Sequence, residues 1–257
     1  MTLLEVENAT VRFGGLTALE DVSFGVGQGE IFAVVGPNGA GKSTLFNVIS
    51  RFCQPASGDV RFEGESVLGH SPSGIAGLGI ARTFQNIELF DRTTVLQNLL
   101  IGRHTRRRAS ILPQIVFAPA VRREEIAHRS AVERVIDFLD LHPYRDHAVA
   151  GLPYGVRKVV EIGRALSMEP RLILLDEPAS GLSVEEAGDM RFWIEDIRAQ
   201  LGVTVLMVEH NMSLVSAVSD RVMVLADGRI IALGTPREVQ SDARVVEAYL
   251  GTGTAMR

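Results

Sequence analysis

Gly36-Pro37-Asn38-Gly39-Ala40-Gly41-Lys42-Ser43-Thr44 concentrates three glycines, one lysine and two hydroxyls within nine residues. A glycine-rich loop of this kind turns its backbone N–H groups inward around phosphate oxygens at the start of a helix. Lys42 then supplies a point charge to the β and γ phosphates of a nucleoside triphosphate, and the Ser43 hydroxyl suits magnesium. The chain has only two lysines against 24 arginines, so compositional abundance does not explain Lys42.

Two further segments carry chemistry that would serve such a loop. Leu172-Ile-Leu-Leu-Asp176-Glu177 reads as a buried strand ending in carboxylates at a sheet edge, where α/β folds bind ligands. Asp176 would hold magnesium through water, and Glu177 would be free to polarise a water attacking the γ phosphate. Val203 to Val208 ends in Glu209-His210-Asn211, which delivers the His210 imidazole to the same edge. Gln85, in Ala-Arg-Thr-Phe-Gln-Asn after a short strand-like run, would reach the magnesium and the water. Taken singly these signals are weak: an acidic strand end is often just solvated, and a lone histidine is more often structural. Leu152-Pro153-Tyr154-Gly155-Val156 opens a helix whose N–H groups and positive dipole end suit a phosphate, although alone it reads as an ordinary helix start.

The elements that must position these residues follow from the apolar pattern. Ile31–Val35, Leu172–Leu175 and Val203–Val208 are β-branched apolar runs of buried, parallel strands, with helices after the first two. Residues 2–26 and 58–64 alternate and contain glycine turns, as antiparallel strands beside the core do. Val222–Leu225 and Arg229–Leu233, split by Asp227-Gly228, form a hairpin. From Thr94 the texture becomes helical, with Ile126, Val132, Val135, Ile136 and Leu139 assigned to one face. The expected fold is α/β, with a parallel-sheet P-loop NTPase core, an antiparallel β subdomain and a helical lobe inserted at about 94–168. Residues 1–251 make one domain and 252–257 a short tail. The apolar run Ala109–Val121, broken by Pro113 and Pro119, reads as a loop packed on the lobe in preference to a membrane or partner contact.

Composition sets the outer limits. A chain of 257 residues with 46% hydrophobic content buries a full core. Net charge of −5 does not imply general attraction to nucleic acid or anionic lipid. The single cysteine, Cys53, excludes an intrachain disulfide and a multi-cysteine zinc site, and packing accounts for it. The amino terminus lacks the basic-then-apolar order of a secretory signal, and no apolar run approaches the roughly 18 residues that span a bilayer. The expectation is a soluble protein, or one held at a membrane by partners. Arg103 and Arg106 to Arg108 read as a solvated basic face sooner than as a headgroup contact.

The ordered set of motifs resembles the ATP-binding cassette of ABC transporters, over essentially the whole chain. The resemblance implies an ATP hydrolase using Mg²⁺. Phe13 takes the place of the aromatic residue that stacks on adenine, Gln85 that of the Q loop, Leu152–Val156 the signature turn, Ser180–Ser183 the D loop and His210 the switch histidine. In that family two cassettes pair head to tail, so Pro153, Tyr154 and Gly155 would meet the ATP of a second cassette. Two departures matter. Pro153 stands where the usual turn has serine; it suits the first helical position but supplies neither hydroxyl nor N–H. Loss of one hydrogen bond to a charged group costs about 1.5–3 kcal/mol, roughly tenfold to a hundredfold in affinity. Ser183 replaces the usual aspartate of the D loop.

Within the family, Gly79 to Gly102, the long insertion and the Tyr-Gly form of the signature are similar to the Liv-type subunits of branched-chain amino acid importers. That likeness implies transmembrane permease subunits as partners, a solute-binding protein acting indirectly, no nucleic acid, and a peripheral place on the cytoplasmic face of the membrane. A soluble cassette ATPase acting on nucleic acid or ribosomes is the alternative; tandem cassettes, long coiled coils or cysteine-rich modules would mark it. A small phosphotransferase would need an acceptor site and would have no use for His210 or the signature turn.

Overall fold

A computed structural model of the chain describes residues 1–106 and 119–250. The tail at 252–257 lies outside the described residues, as does most of the apolar segment 109–121. Its last three residues, Pro119 to Val121, begin the helix Pro119–Phe138 and are not a loop. The chain divides into two compact units, one formed by Met1–Gln85 with Arg171–Arg257 and the other by Asn86–Pro170.

In the first unit, β1 (Thr2–Phe13), β2 (Leu16–Gly27), β4 (Ser57–Phe62) and β5 (Glu65–Ser66) form an antiparallel sheet in the order β2-β1-β4-β5. A second sheet runs β10-β9-β3-β8-β7-β6, built from β3 (Ile31–Val35), β6 (Ile80–Arg82), β7 (Leu172–Asp176), β8 (Thr204–Val208), β9 (Arg221–Ala226) and β10 (Arg229–Gly234). Five of its strands are parallel and only β10 runs against its neighbour. Every residue of β3, β7 and β8 is buried, because both faces of the sheet are covered and no alternation is needed.

The main core joins the two sheets through α1 (Lys42–Ile49), which contributes Leu45, Phe46, Val48 and Ile49. Burial of each such large side chain contributes about 1.5–3 kcal/mol. Phe24 of β2 stacks on Phe32 of β3 at 5.4 Å, a direct contact between the sheets. Cys53 is partly buried against this core.

Register decides what reaches the functional edge. Val34 and Asp176 both pair with Val208, and Val35 pairs with Val224. The chain therefore leaves β3, β7 and β8 at one level, so Gly36, Glu177 and Glu209 emerge side by side.

The second unit is helical. Thr94 caps the helix Val95–Gly102 in a reciprocal box with Gln97. Helix Pro119–Phe138 buries His128, Ala131, Val132 and Ile136, with Leu139 just beyond its end. Ile126, expected on that face, is 57% exposed, because it stands two residues from His128 and so points to the opposite side of the helix. Arg103 is not a surface charge either. It is buried, donating to the Ser167 carbonyl at 2.9 Å and to His128 Nδ1 at 3.2 Å, with Glu169 2.9 Å away. Arg106 is exposed and donates to the carbonyls of Met168 and Glu169; Arg107 and Arg108 lie outside the described residues.

Gly102 marks the tightest approach in this unit, since a Cβ there would lie 2.2 Å from the Arg164 carbonyl oxygen. Backbone on both sides leaves no flexible atom to yield. Gly102→Ala is expected to lower stability by about 1–3 kcal/mol through overpacking, read as an earlier thermal unfolding midpoint.

Candidate functional site

A cavity of about 550 Å³ opens at the edge where β3 and β7 end. Asn38–Thr44 form its floor, Phe13 and Leu16 one wall, and Gln85, Glu177, His210, Asp227 and Gly228 its rim. The floor is a loop between a fully buried strand and a helix, and Gly41 makes it possible. Its φ is 101° as the N-cap of α1, and a Cβ there would lie 2.5 Å from the Ala18 carbonyl oxygen. No other residue type meets both demands.

Lys42 is 6% exposed and its ammonium donates to the carbonyls of Gly36 at 2.8 Å and Pro37 at 2.9 Å. Burial pulls its pKa below the ordinary lysine value, while nearby Glu177 and Asp176 oppose that shift. An anion seated in the cradle would relieve the desolvation that Lys42 bears here. Gly36 and Pro37 touch the cavity only through this lysine; they are not part of its lining.

Glu177 follows β7 with φ of 51°, a left-handed conformation that costs a residue of this kind about 1–3 kcal/mol and clusters at functional sites. Its carboxylate has two side-chain partners. Gln85 Nε2 donates to Oε2 at 3.1 Å, and His210 Nε2 lies 2.8 Å from Oε1. The second contact holds one shared proton between the imidazole nitrogen and the carboxyl oxygen. Glu177 is well enclosed and His210 about 39% exposed, so the pair sits at the mouth of the cavity.

Asp176 is buried beside the loop but pairs with a residue that the motif reading passed over. Arg82, at the end of β6, donates to Asp176 Oδ2 at 2.9 Å and to Asn47 Oδ1 and Ser50 Oγ of the α1 region at 2.8 Å each. The rings of Phe46, Phe52 and Phe84 lie 5.1 to 6.0 Å from its guanidinium carbon. A charged residue in the apolar run Gly79 to Phe84 was the available signal. Glu209 was also missed: 2% exposed, it accepts backbone N–H groups from Ala179, His210 and Asn211. Burial pushes its carboxyl above the ordinary range, and those N–H groups oppose the shift.

Pro153, Tyr154 and Gly155 lie in the helical unit. Pro153 is the N-cap of helix Tyr154–Leu166 and not its first helical residue, with φ −52° and ψ 151°, and makes no side-chain capping bond. The first-turn N–H groups of that helix therefore have no intrahelical acceptor. Tyr154 is 45% exposed and Gly155 buried.

Comparison with known proteins decides the family. The ABC transporter family model matches residues 19–180. The chain belongs to the ABC transporter family. A second model, the branched-chain amino acid ATP-binding cassette transporter, matches residues 229–255. The high-affinity branched-chain amino acid transport ATP-binding protein BraF of Pseudomonas aeruginosa is 38% identical over 252 residues, spanning 97% of this chain and 98% of its own length. LivG of Escherichia coli is 35% identical with the same coverage, and the probable LivG of Methanocaldococcus jannaschii 37% identical over 98% of each chain. Among solved structures, a nucleotide-free ATP-binding cassette from an ABC transporter superposes with TM-score 0.85 at 36% identity, covering 97% of this chain and 99% of that one. A cassette of an ABC transporter in its ADP conformation matches equally well, at TM-score 0.85 and 36% identity over 98% of this chain and 99% of that one.

In this ABC cassette the donor set suits a magnesium ion. Among the described residues no group of three or more His, Cys, Asp or Glu side chains could enclose a metal alone. Ser43 in the cradle and the buried Asp176 offer oxygens only, as magnesium prefers. Arg82→Gln would leave Asp176 as an uncompensated buried charge. Thermal or urea unfolding is expected to show a loss of about 3–5 kcal/mol, with Arg82→Lys recovering part of it.

Proposed function

We propose that this cassette binds ATP with Mg²⁺ and hydrolyses it to energise uptake of branched-chain or related amino acids through a membrane permease. The observation that carries this reading is the Glu177 carboxylate held between Gln85 and His210 at the mouth of a lysine-floored phosphate cradle. The relatives named for branched-chain amino acid transport, and the match at residues 229–255, support the importer class.

The residues divide the work. Gly36 to Thr44 wrap the phosphates, and Phe13, 54% exposed beside the cavity, stacks on the adenine. Lys42 gives up the Gly36 and Pro37 carbonyls for the β and γ phosphates. Ser43, Gln85 and, through water, Asp176 would hold the magnesium, which would supply charge neutralisation at the phosphate oxygens. With nucleotide in place, Gln85 and His210 would leave Glu177, Gln85 to serve as a magnesium ligand and His210 to meet the γ phosphate. Glu177 then accepts a proton as the water oxygen bonds to the γ phosphorus and the bond to ADP breaks.

A second cassette supplies Pro153, Tyr154 and Gly155 across the pair, with the open N–H groups of their helix facing the γ phosphate. The permease, loaded by a solute-binding protein, keeps the cassette on the cytoplasmic face of the membrane. No described helix is long and apolar enough to cross one.

Glu177→Gln is expected to retain ATP binding while hydrolysis slows by about 10² to 10⁴, the usual range for a general base. Lys42→Ala is expected to weaken nucleotide binding itself; normal ATP affinity in that variant would remove the phosphate-loop assignment. Uptake of a labelled branched-chain amino acid by the reconstituted transporter, absent with Glu177→Gln, tests the transport reading. If the second cassette carries a serine-containing signature, the site completed by Pro153 is expected to turn over more slowly by about tenfold to a hundredfold, the value of one charge-assisted hydrogen bond. Equal turnover, found by disabling the glutamate of each cassette separately, would count against that asymmetry.

A further inference from the structure

Glu209 stands between the last residue of β8 and His210, almost wholly buried and outside the cavity lining. Its Oε1 accepts the Ala179 N–H at 2.8 Å. Its Oε2 accepts the N–H groups of His210 at 3.0 Å and Asn211 at 3.2 Å. Ala179 belongs to the turn after β7, whose next N–H, that of Ser180, donates back to the Glu177 carbonyl at 3.1 Å. One carboxylate thus grips the backbones of two loops whose side chains, Glu177 and His210, are themselves 2.8 Å apart.

The chemistry of this group is specific. Burying a carboxylate is costly, and an apolar side chain would pack there at less expense if filling space were the only requirement. Only an ionised carboxylate offers two acceptor oxygens and no donor, which three converging N–H groups demand. The isosteric amide would turn an NH₂ toward either Ala179 or the His210–Asn211 pair.

We propose that Glu209 is a positioning residue for hydrolysis: a buried strut that sets the separation between the Glu177 loop and the His210 loop. Because it grips Ala179, it also carries any displacement of the adjoining turn, Ser180–Ser183, into that separation. The proposal rests on the hydrolytic reading above.

The test uses the purified full-length chain, alone and with co-expressed permease, comparing steady-state hydrolysis with binding of a fluorescent ATP analogue. For Glu209→Gln, kcat is expected to fall by about tenfold or more, since sub-ångström misplacement of reacting groups costs rate and not affinity, while KM and analogue affinity stay within about twofold. Combined with His210→Ala, it is expected to add less than about a twofold further loss, because the strut acts on the spacing between Glu177 and His210, which loss of the imidazole already abolishes. Circular dichroism reports folding, and Glu209→Asp, which keeps the acceptors but is one methylene short, carries the same test if the glutamine variant does not fold. Unchanged kcat in a folded variant, multiplying losses in the double variant, or parallel loss of ATP affinity overturns the strut. Failure of both variants to fold also overturns it, assigning Glu209 to the fold alone. An inactive wild-type chain would count against the hydrolytic reading instead.

Discussion

Three buried parallel strands ending at one level are the constraint on which the site depends. Val208 is paired with both Val34 and Asp176, so the phosphate loop, Glu177 and Glu209 leave the sheet within neighbouring hydrogen-bonding rows. A register slip of one residue in β7 or β8 would reverse every side chain on that strand. Complete burial of β3, β7 and β8 fixes them against such movement, because any other register would move polar strand ends into the core.

That edge gathers more charge than its volume would ordinarily tolerate. Lys42, Asp176, Glu177 and Glu209 are all enclosed, and each has a separate means of compensation. Lys42 donates to two loop carbonyls, Asp176 pairs with Arg82, Glu177 takes Gln85 and His210, and Glu209 relies on backbone N–H groups. The compensation differs in kind. Arg82 is fastened on several sides, to Asn47, Ser50 and three aromatic rings, and reads as permanent structure. The contacts of Lys42 and Glu177 are to groups lining or adjoining the cavity, which a triphosphate would displace. The strained backbone of Glu177 belongs to the same economy of a site held ready for ligand.

The helical unit obeys different physics. Its helices are fixed by a capping box at Thr94, by the close passage of Gly102 along Arg164, and by the buried guanidinium of Arg103. Pro153 gives its helix an open N-terminus without a side-chain acceptor, which leaves phosphate-binding capacity in the backbone alone.

Local pattern alone determined a good deal of this protein. The apolar runs at 31–35, 172–175 and 203–208 read as buried strands, the glycine spacing at 36–41 dictated a phosphate-sized loop, and the Asp227-Gly228 hairpin was written in two residues. These are short-range properties, settled by backbone conformation and by apolar periodicity. Pairings between distant residues were not legible. Arg82 and Asp176 are 94 positions apart, and Glu209 and Ala179 are 30 apart. No spacing rule joins them; strand order and register do. The same reason explains the misreadings. Ile126 was placed by helical spacing and Arg103 by its charge, whereas the helix face buried and the carbonyls within reach were decided by packing. Glu177, His210 and Gln85 were each assigned a separate task at the phosphate, and only the folded edge decided that the three side chains meet one another.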